Sequence, residues 1–296
     1  MFSNVENELR SVERQIFSVI KKNKITDLNK YVSWLAKERG KKLRPALLFL
    51  VAKKCSNKKD NNDLLHAATA IELFHQSSLI HDDIIDASPK RHKELTAFKK
   101  FGSEEAIILG DWLIGLATEE LSLCKNVDVR KEIGAAITSV CKGQLLQMKL
   151  RGTVITEKQY FSIIENKTAA LFETSAVCGA LLTNKKYSPR ARRFGKDLGI
   201  AFQIIDDMED LTGNPKKTGK PLGQDIREGE MTLPLIYLSK EISLNKNIPS
   251  IISAFKKSKS LNKTKSKAAI YLNRAKKSSF GAEELISFLF KKINID

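Results

Sequence analysis

Asp82-Asp83-Ile84-Ile85-Asp86 and Asp206-Asp207-Met208-Glu209-Asp210 repeat one pattern, D-D-x-x-D, 124 positions apart. Positions i and i+4 of a helix share a face and i+1 lies beside them, so each cluster offers three carboxylates to one small volume. Each cluster ends an apolar run, and each is followed by breakers: Pro89 after the first, Gly213-Asn214-Pro215 after the second. The acids are therefore expected in the last turns of two helices, at the negative end of the dipole, where a carboxylate is disfavoured. A cation offsets such a cluster. Magnesium takes oxygen ligands and commonly bridges one or two carboxylates to substrate phosphates, so two such clusters suit a diphosphate held through several magnesium ions.

Basic residues stand where an anion could dock. Lys41 and Arg44 flank the turn Gly40–Pro45, and Pro45 can open a helix whose amides favour phosphate. His75 precedes Asp82 by seven residues, two helical turns, and falls near the same face.

The elements that must carry these residues read as helices throughout. Apolar residues recur at helical spacing over Val5–Lys22, Asp27–Glu38 and Ala46–Lys54, and a long helix capped by Asp63 leads to the first cluster. A polar loop spans Ala87–Leu95. Helices follow over Ser103–Ser122, Val129–Leu150 and Glu157–Leu182, the last carrying Lys167-Thr168, then over Arg190–Leu211, opened by Ser188-Pro189, to the second cluster. Thr212–Glu230 is a long loop, and the remaining helices break near Asn245–Pro249. Each half thus repeats an apolar helix, a terminal acid cluster and a polar loop, which suggests two helices facing each other across one cavity. With 15 Gly, 7 Pro and no linker-like composition, residues 1–296 read as one all-α domain.

Net charge is +17, with lysine-rich segments at Lys53–Lys59 and Lys256–Lys277. No helix-turn-helix, zinc-finger or aromatic-interleaved basic motif accompanies it, so a solvated basic surface is expected rather than a nucleic-acid face. Cys55, Cys124, Cys141 and Cys178 form no C-x-x-C pair and read as buried, reduced thiols. No signal peptide is visible and no stretch reaches the roughly 18 apolar residues of a membrane span, which points to the cytoplasm, with peripheral membrane contact allowed.

These residues, in this order, resemble the trans-isoprenyl diphosphate synthases, the polyprenyl synthetase family. The likeness runs over Gly40–Pro45, Glu72-Leu73-Phe74-His75 to Asp86, Gly143-Gln144, Lys167-Thr168, Phe202 to Asp207, Gly219-Lys220 and Thr232-Leu233-Pro234. It implies an all-α bundle around a central cavity, a homodimer, and condensation of isopentenyl diphosphate with an allylic diphosphate. It implies three magnesium ions: Asp82 and Asp86 bind metal with Asp83 close by, and Asp206, Asp207 and Asp210 hold the remaining ion. Lys41, Arg44 and His75 match the isopentenyl diphosphate site. Arg91, Lys167 and Lys220 match contacts to the allylic diphosphate. Thr168 and Gln203 match groups whose oxygens face the developing cation.

The chain departs from the family at Arg91-His92-Lys93, where Arg-Arg-Gly is usual, so His92 stands in the isopentenyl diphosphate site without a fixed charge or bidentate fork. Leu95-Thr96 replaces Pro-Thr, and Glu230 replaces a lysine. Chain length in the family is set four or five residues before the first motif, here by Ser78 and Ser77. Both are small, which favours a product longer than farnesyl; Phe74, one turn deeper, is the other candidate floor. A farnesyl or geranylgeranyl synthase is the alternative, as is one subunit of a heteromeric synthase. A terpene cyclase is disfavoured by Asp206–Asp210 and by the Lys41, Arg44, His75 set.

Overall fold

Helical spacing of Val12, Ile16, Val19 and Ile20 buries one stripe of helix α1 (Glu6–Lys22), and the same logic repeats along the chain. The computed structural model describes residues 2–22, 28–35, 40–55, 62–91, 94–214 and 221–293. Within these residues the expected all-α class holds: the β structure there is one two-residue hairpin.

The chain divides into two compact units. The first comprises residues 1–134, 174–191 and 280–282. After α1 come α2 (Asn29–Leu35), α3 (Leu43–Cys55) and α4 (Asn62–Ile85). Strands β1 (Lys90–Arg91) and β2 (Glu94–Leu95) follow, then α5 (Ala97–Phe101), α6 (Ser103–Leu123) and the start of α7 (Val127–Leu150). Pro45–Ala52 of α3 are all buried, the mark of a helix enclosed on every side. α4 packs chiefly along α6. Gly110 of α6 makes that approach close, because a Cβ there would lie 2.2 Å from His81 Nε2.

The second unit comprises residues 135–173, 192–279 and 283–296. It holds the rest of α7, α8 (Glu157–Ile164), a π-helical turn (Glu165–Ala169), the start of α9 (Ala170–Leu181) and most of α10 (Ser188–Thr212). The short α11 (Gln224–Arg227), the wholly buried α12 (Leu233–Leu238), α13 (Ile248–Lys257), α14 (Lys259–Lys276) and α15 (Glu283–Ile293) complete it.

Several expectations change. Asp63 does not cap α4; it lies inside that helix and its carboxylate accepts the backbone N–H groups of Lys125 and Asn126 at 3.1 Å, closing the turn before α7. α3 starts three residues before Ala46, because Pro45 in a first turn needs no N–H partner. The expected loop 87–95 contains the β1–β2 pairing of Lys90 with Leu95 and Arg91 with Glu94, too short for any periodic signal. Thr96 closes it, donating to Ser88 O at 2.7 Å and capping α5 through Lys99 N. The uninterrupted helix expected over 157–182 is broken by the π turn. All four thiols are free, but only Cys124 and Cys178 are buried as expected, Cys55 being half-buried and Cys141 exposed. No helix of the described residues is long and apolar enough to cross a membrane.

Candidate active site

In the first unit, α4 delivers both the acids and the residues that hold Arg44. The helix ends as a Schellman motif: Ser88 N–H bonds Asp83 O at 2.9 Å and Ala87 N–H bonds Ile84 O at 3.1 Å. Ala87 takes the left-handed conformation (φ 47°) that glycine usually supplies, so the turn directly after Asp86 is strained. The acids thus sit at the C-terminal end of α4, as the breakers implied.

Arg44, in the first turn of α3, hydrogen-bonds His75 Nε2 through Nη1 at 2.8 Å. Arginine can only donate, so Nε2 accepts and the proton of the neutral ring is on Nδ1. Burial, then the Arg44 and Arg91 charges, hold His75 well below the usual imidazole range, which fixes it neutral. Glu72, one turn before His75 and 2% exposed, has its carboxyl pushed up by burial, partly offset by Arg44 and Lys42. The Arg44 guanidinium is brought down to about 10 by the same enclosure, with Glu72 opposing. Lys41 is exposed on the turn, whereas Lys42 is buried and pairs with Glu13 at 2.7 Å.

Arg91 grips the Asp83 carboxylate with Nε (3.1 and 3.2 Å) and Nη2 (2.7 Å). The middle acid of the first cluster is therefore spent on an ion pair, while Asp82 and Asp86 flank it half-buried. A small cavity of about 20 Å³, lined by residues including Trp34, Gln76, Asp83 and Arg91, adjoins this pair and has room for about one water.

In the second unit, the π turn carries Lys167 and Thr168. Gly143 of α7 lies against it, since a Cβ there would sit 2.4 Å from Lys167 N. One turn along α7, Gln147 Oε1 accepts Lys167 Nζ at 2.9 Å. Thr168 donates to Gln203 Oε1 at 2.7 Å, and Gln203 Nε2 donates to Asp207 at 2.7 Å. Tyr160 completes the chain, donating to the other Asp207 oxygen at 2.6 Å. Extra backbone in a helix at a cluster of polar groups is the usual use of a π turn. No sequence pattern marked Tyr160 as a partner of Asp207, because it sits at an apolar position of α8.

Asp206 is exposed, Asp207 is 5% exposed, and Asp210 accepts the N–H groups of Gln224 (2.9 Å) and Asp225 (3.2 Å). Asp210 thereby ties α11 to the end of α10 and brings in Asp225, a fourth carboxylate that sequence reasoning missed. Burial, then repulsion from Asp210, Asp207 and Asp206, pushes Asp225 well above the carboxylate range. Asp207 rises to about 7, chiefly through burial, with the Tyr160 and Gln203 hydrogen bonds opposing. Mutually repelling oxygen ligands at a helix C-terminus are the donor set a hard cation fits. Among the described residues, no three His, Cys, Asp or Glu side chains are grouped so as to hold a metal ion by themselves. Magnesium held partly by diphosphate oxygens and water does not require one.

Because Asp207 titrates higher folded than unfolded, the folded protein keeps a proton that the unfolded chain has lost between about pH 4 and pH 7. Stability without cation should therefore fall as pH rises through that window, by about 2–4 kcal/mol. A cation bound to the ionised carboxylates opposes this loss. Thermal melts should show a larger gain from magnesium at about pH 8 than at about pH 5. Equal gains at both pH values would refute this account.

Glu230, the departure from the family's lysine, is 8% exposed and accepts Arg151 Nε at 2.7 Å, while Gly152 N–H bonds Gly229 O at 2.8 Å. It is a built ion pair anchoring the segment before α12. His92 and Lys220 lie outside the described residues, as does Lys93.

Residues 25–271 match the family model described as polyprenyl synthetase. A short chain isoprenyl diphosphate synthase of Methanocaldococcus jannaschii is 34% identical over 248 residues, 81% of this chain and 74% of the relative. Component 2 of the heptaprenyl diphosphate synthase of Geobacillus stearothermophilus is 28% identical over 93% of this chain and 90% of its own. Among solved structures, the heptaprenyl diphosphate synthase of Staphylococcus aureus matches with a TM-score of 0.89 at 29% identity, covering 100% of this chain and 99% of that one.

Proposed function

The chain belongs to the polyprenyl synthetase family and is a prenyltransferase, and from that premise we propose that it joins isopentenyl diphosphate to an allylic diphosphate, giving an all-trans polyprenyl diphosphate longer than farnesyl. The observation that carries the metal part of this reading is the second cluster, where Asp207 and Asp225 are driven toward neutrality by burial and by the neighbouring charges of Asp206 and Asp210. Magnesium bound at the aspartates supplies charge that stabilises diphosphate as a leaving group. Asp82 and Asp86 bind on the first-cluster side, with Asp83 reserved for Arg91. Asp206 and Asp207 hold the remaining ion, and Asp210 positions them while capping α11.

Arg44 and Lys41 receive isopentenyl diphosphate; neutral His75 keeps the guanidinium oriented and leaves its charge undiminished. Arg91, Lys167 and Lys220 hold the allylic diphosphate. The allylic C–O bond breaks with its electron pair leaving on diphosphate, the double bond of isopentenyl diphosphate attacks the allylic carbon, and a proton is then lost to the departed diphosphate. Thr168 and Gln203, aligned by their hydrogen bond, turn oxygen lone pairs to the cation as charge develops.

Phe74, Ser78 and Asp82 recur every four residues on α4 and share one face, whereas Ser77, 2% exposed, is packed in the core. Ser78, on the face of Asp82, is on this reading the first residue that leaves room for a growing chain, with Ser77 the second candidate. With labelled isopentenyl diphosphate and an allylic primer, the wild-type chain should give product beyond farnesyl, and Ser78→Phe should shorten it by at least one isoprene unit. Unchanged length in Ser78→Phe rejects the ruler, and no incorporation with any primer rejects the stand-alone enzyme. The likeness to a heptaprenyl synthase component favours one second reading, a subunit that needs a partner; activity of the purified chain alone decides against it.

A homodimer is part of the proposal, supported by exposed Ile107, Ile108 and Ile114 along α6. Sedimentation of the protein as a monomer at assay concentration would refute it. Free thiols fit the cytoplasm as the compartment.

A further inference from the structure

The positive charge of this chain is concentrated. Residues 242–282 contain ten Lys and Arg and no Asp or Glu, more than half of the net +17. They belong to the second unit except for residues 280–282. Ile251 and Phe255 of α13, and Ala268, Leu272 and Ala275 of α14, are buried, and the helical period turns the cations outward. Lys259, Lys263, Arg274 and Lys277 recur at spacings that place them on one face along α14 and the residue after it, all exposed. Lys256 and Lys257 extend the patch at the end of α13, and Ile270, 46% exposed, stands within the α14 face. α14 is about 27 Å long.

Acids offset this face only in part, Glu157 acting on Lys263 and Asp197 on Arg274 without a direct ion pair to either. Among the described residues, Lys259, Lys263 and Lys277 make no ion pair with a carboxylate; Lys263 instead stands 4.2 Å over the Tyr237 ring. Lys267, off the face, pairs with Glu157 at 2.7 Å, and Arg274 opposes Asp197 from the edge.

We propose that this α13–α14 face docks the protein on an anionic phospholipid bilayer. Clusters of four to eight Lys or Arg on an amphipathic helix adsorb to anionic leaflets, each cation strengthening binding by roughly fivefold. Ile270 stands where a side chain reaches past the headgroups. No exposed aromatic lies on the face to stack a base, which argues against single-stranded nucleic acid as the occupant. Docking of this kind brings the site's apolar product to the phase that dissolves it. Only that purpose rests on the prenyltransferase reading, since adsorption is measured without turnover.

The test is cosedimentation with vesicles of phosphatidylcholine alone and of phosphatidylcholine mixed with phosphatidylglycerol, across a salt series. The protein should bind the mixed vesicles, release as salt rises, and ignore the neutral ones. The quadruple variant Lys259→Gln, Lys263→Gln, Arg274→Gln, Lys277→Gln should bind roughly 600-fold more weakly, with circular dichroism and prenyl incorporation in detergent unchanged. Equal binding to neutral vesicles, no binding to anionic ones, an unaffected quadruple variant, or tighter binding to RNA at the same salt would each overturn the proposal. If the quadruple variant is misfolded, the doubly substituted Lys259→Gln, Lys277→Gln protein should still lose at least tenfold, and failure to do so counts against it equally.

Discussion

Asp82→Ala should lower kcat by about 10³-fold while leaving the melting temperature unchanged or slightly raised. The two halves of that expectation come from the same geometry. Asp82 is half-buried in the last full turn of α4, where its charge opposes the helix dipole, so its removal costs the fold little. A ligand to a cation that offsets leaving-group charge contributes several kcal/mol to the transition state, and each 1.36 kcal/mol is about tenfold in rate. The contrast with its neighbour sharpens the test. Asp83→Ala leaves Arg91 without the carboxylate it grips in a largely buried position, and should cost about 3–5 kcal/mol of stability. Steady-state incorporation and thermal melts of both variants check the pair of effects. An Asp82→Ala enzyme within tenfold of wild type would remove the first cluster from the mechanism.

Arg44→Ala should cost about 3–5 kcal/mol and raise KM for isopentenyl diphosphate by about 100-fold. Arg44 is half-buried, and without it the buried Glu72 loses the guanidinium that offsets its burial. The variant also moves an observable that a purely structural role would leave alone. Because Arg44 is among the causes that depress His75, the imidazole pKa should rise when it is removed, readable as a shifted titration of the ring protons by NMR. Arg44→Lys keeps a charge but lacks the planar fork, so it should recover much of the stability and less of the KM. An unchanged KM in Arg44→Ala would separate this arginine from substrate binding.

The all-helical class and both acid clusters were legible from periodicity and breakers, because those signals are local. Where the clusters end is also local: Pro89 and Gly213 stop their helices within a few residues of the acids. The π turn at Lys167 and Thr168 was not legible. One extra residue in a helix changes no pattern of apolar spacing enough to notice, and the turn is shaped by the close approach of Gly143 from α7. Asp63 likewise read as a cap, since an acid before an apolar run usually is one, but its partners are two amides some sixty residues on.

Thus the sequence by itself determined the chemistry: which oxygens and cations the chain owns, at which helix ends, and the family to which they belong. Tertiary structure alone decided which of them are spent. Asp83 is held by Arg91, Asp210 by the amides of α11, and Glu230 by Arg151, while Tyr160 and Asp225 enter the second acid cluster from elements with no motif of their own. The reason is physical. Helical order follows from contacts within a turn, but the charge state of a buried carboxylate follows from whatever desolvates and neighbours it, and those neighbours come from anywhere in the chain.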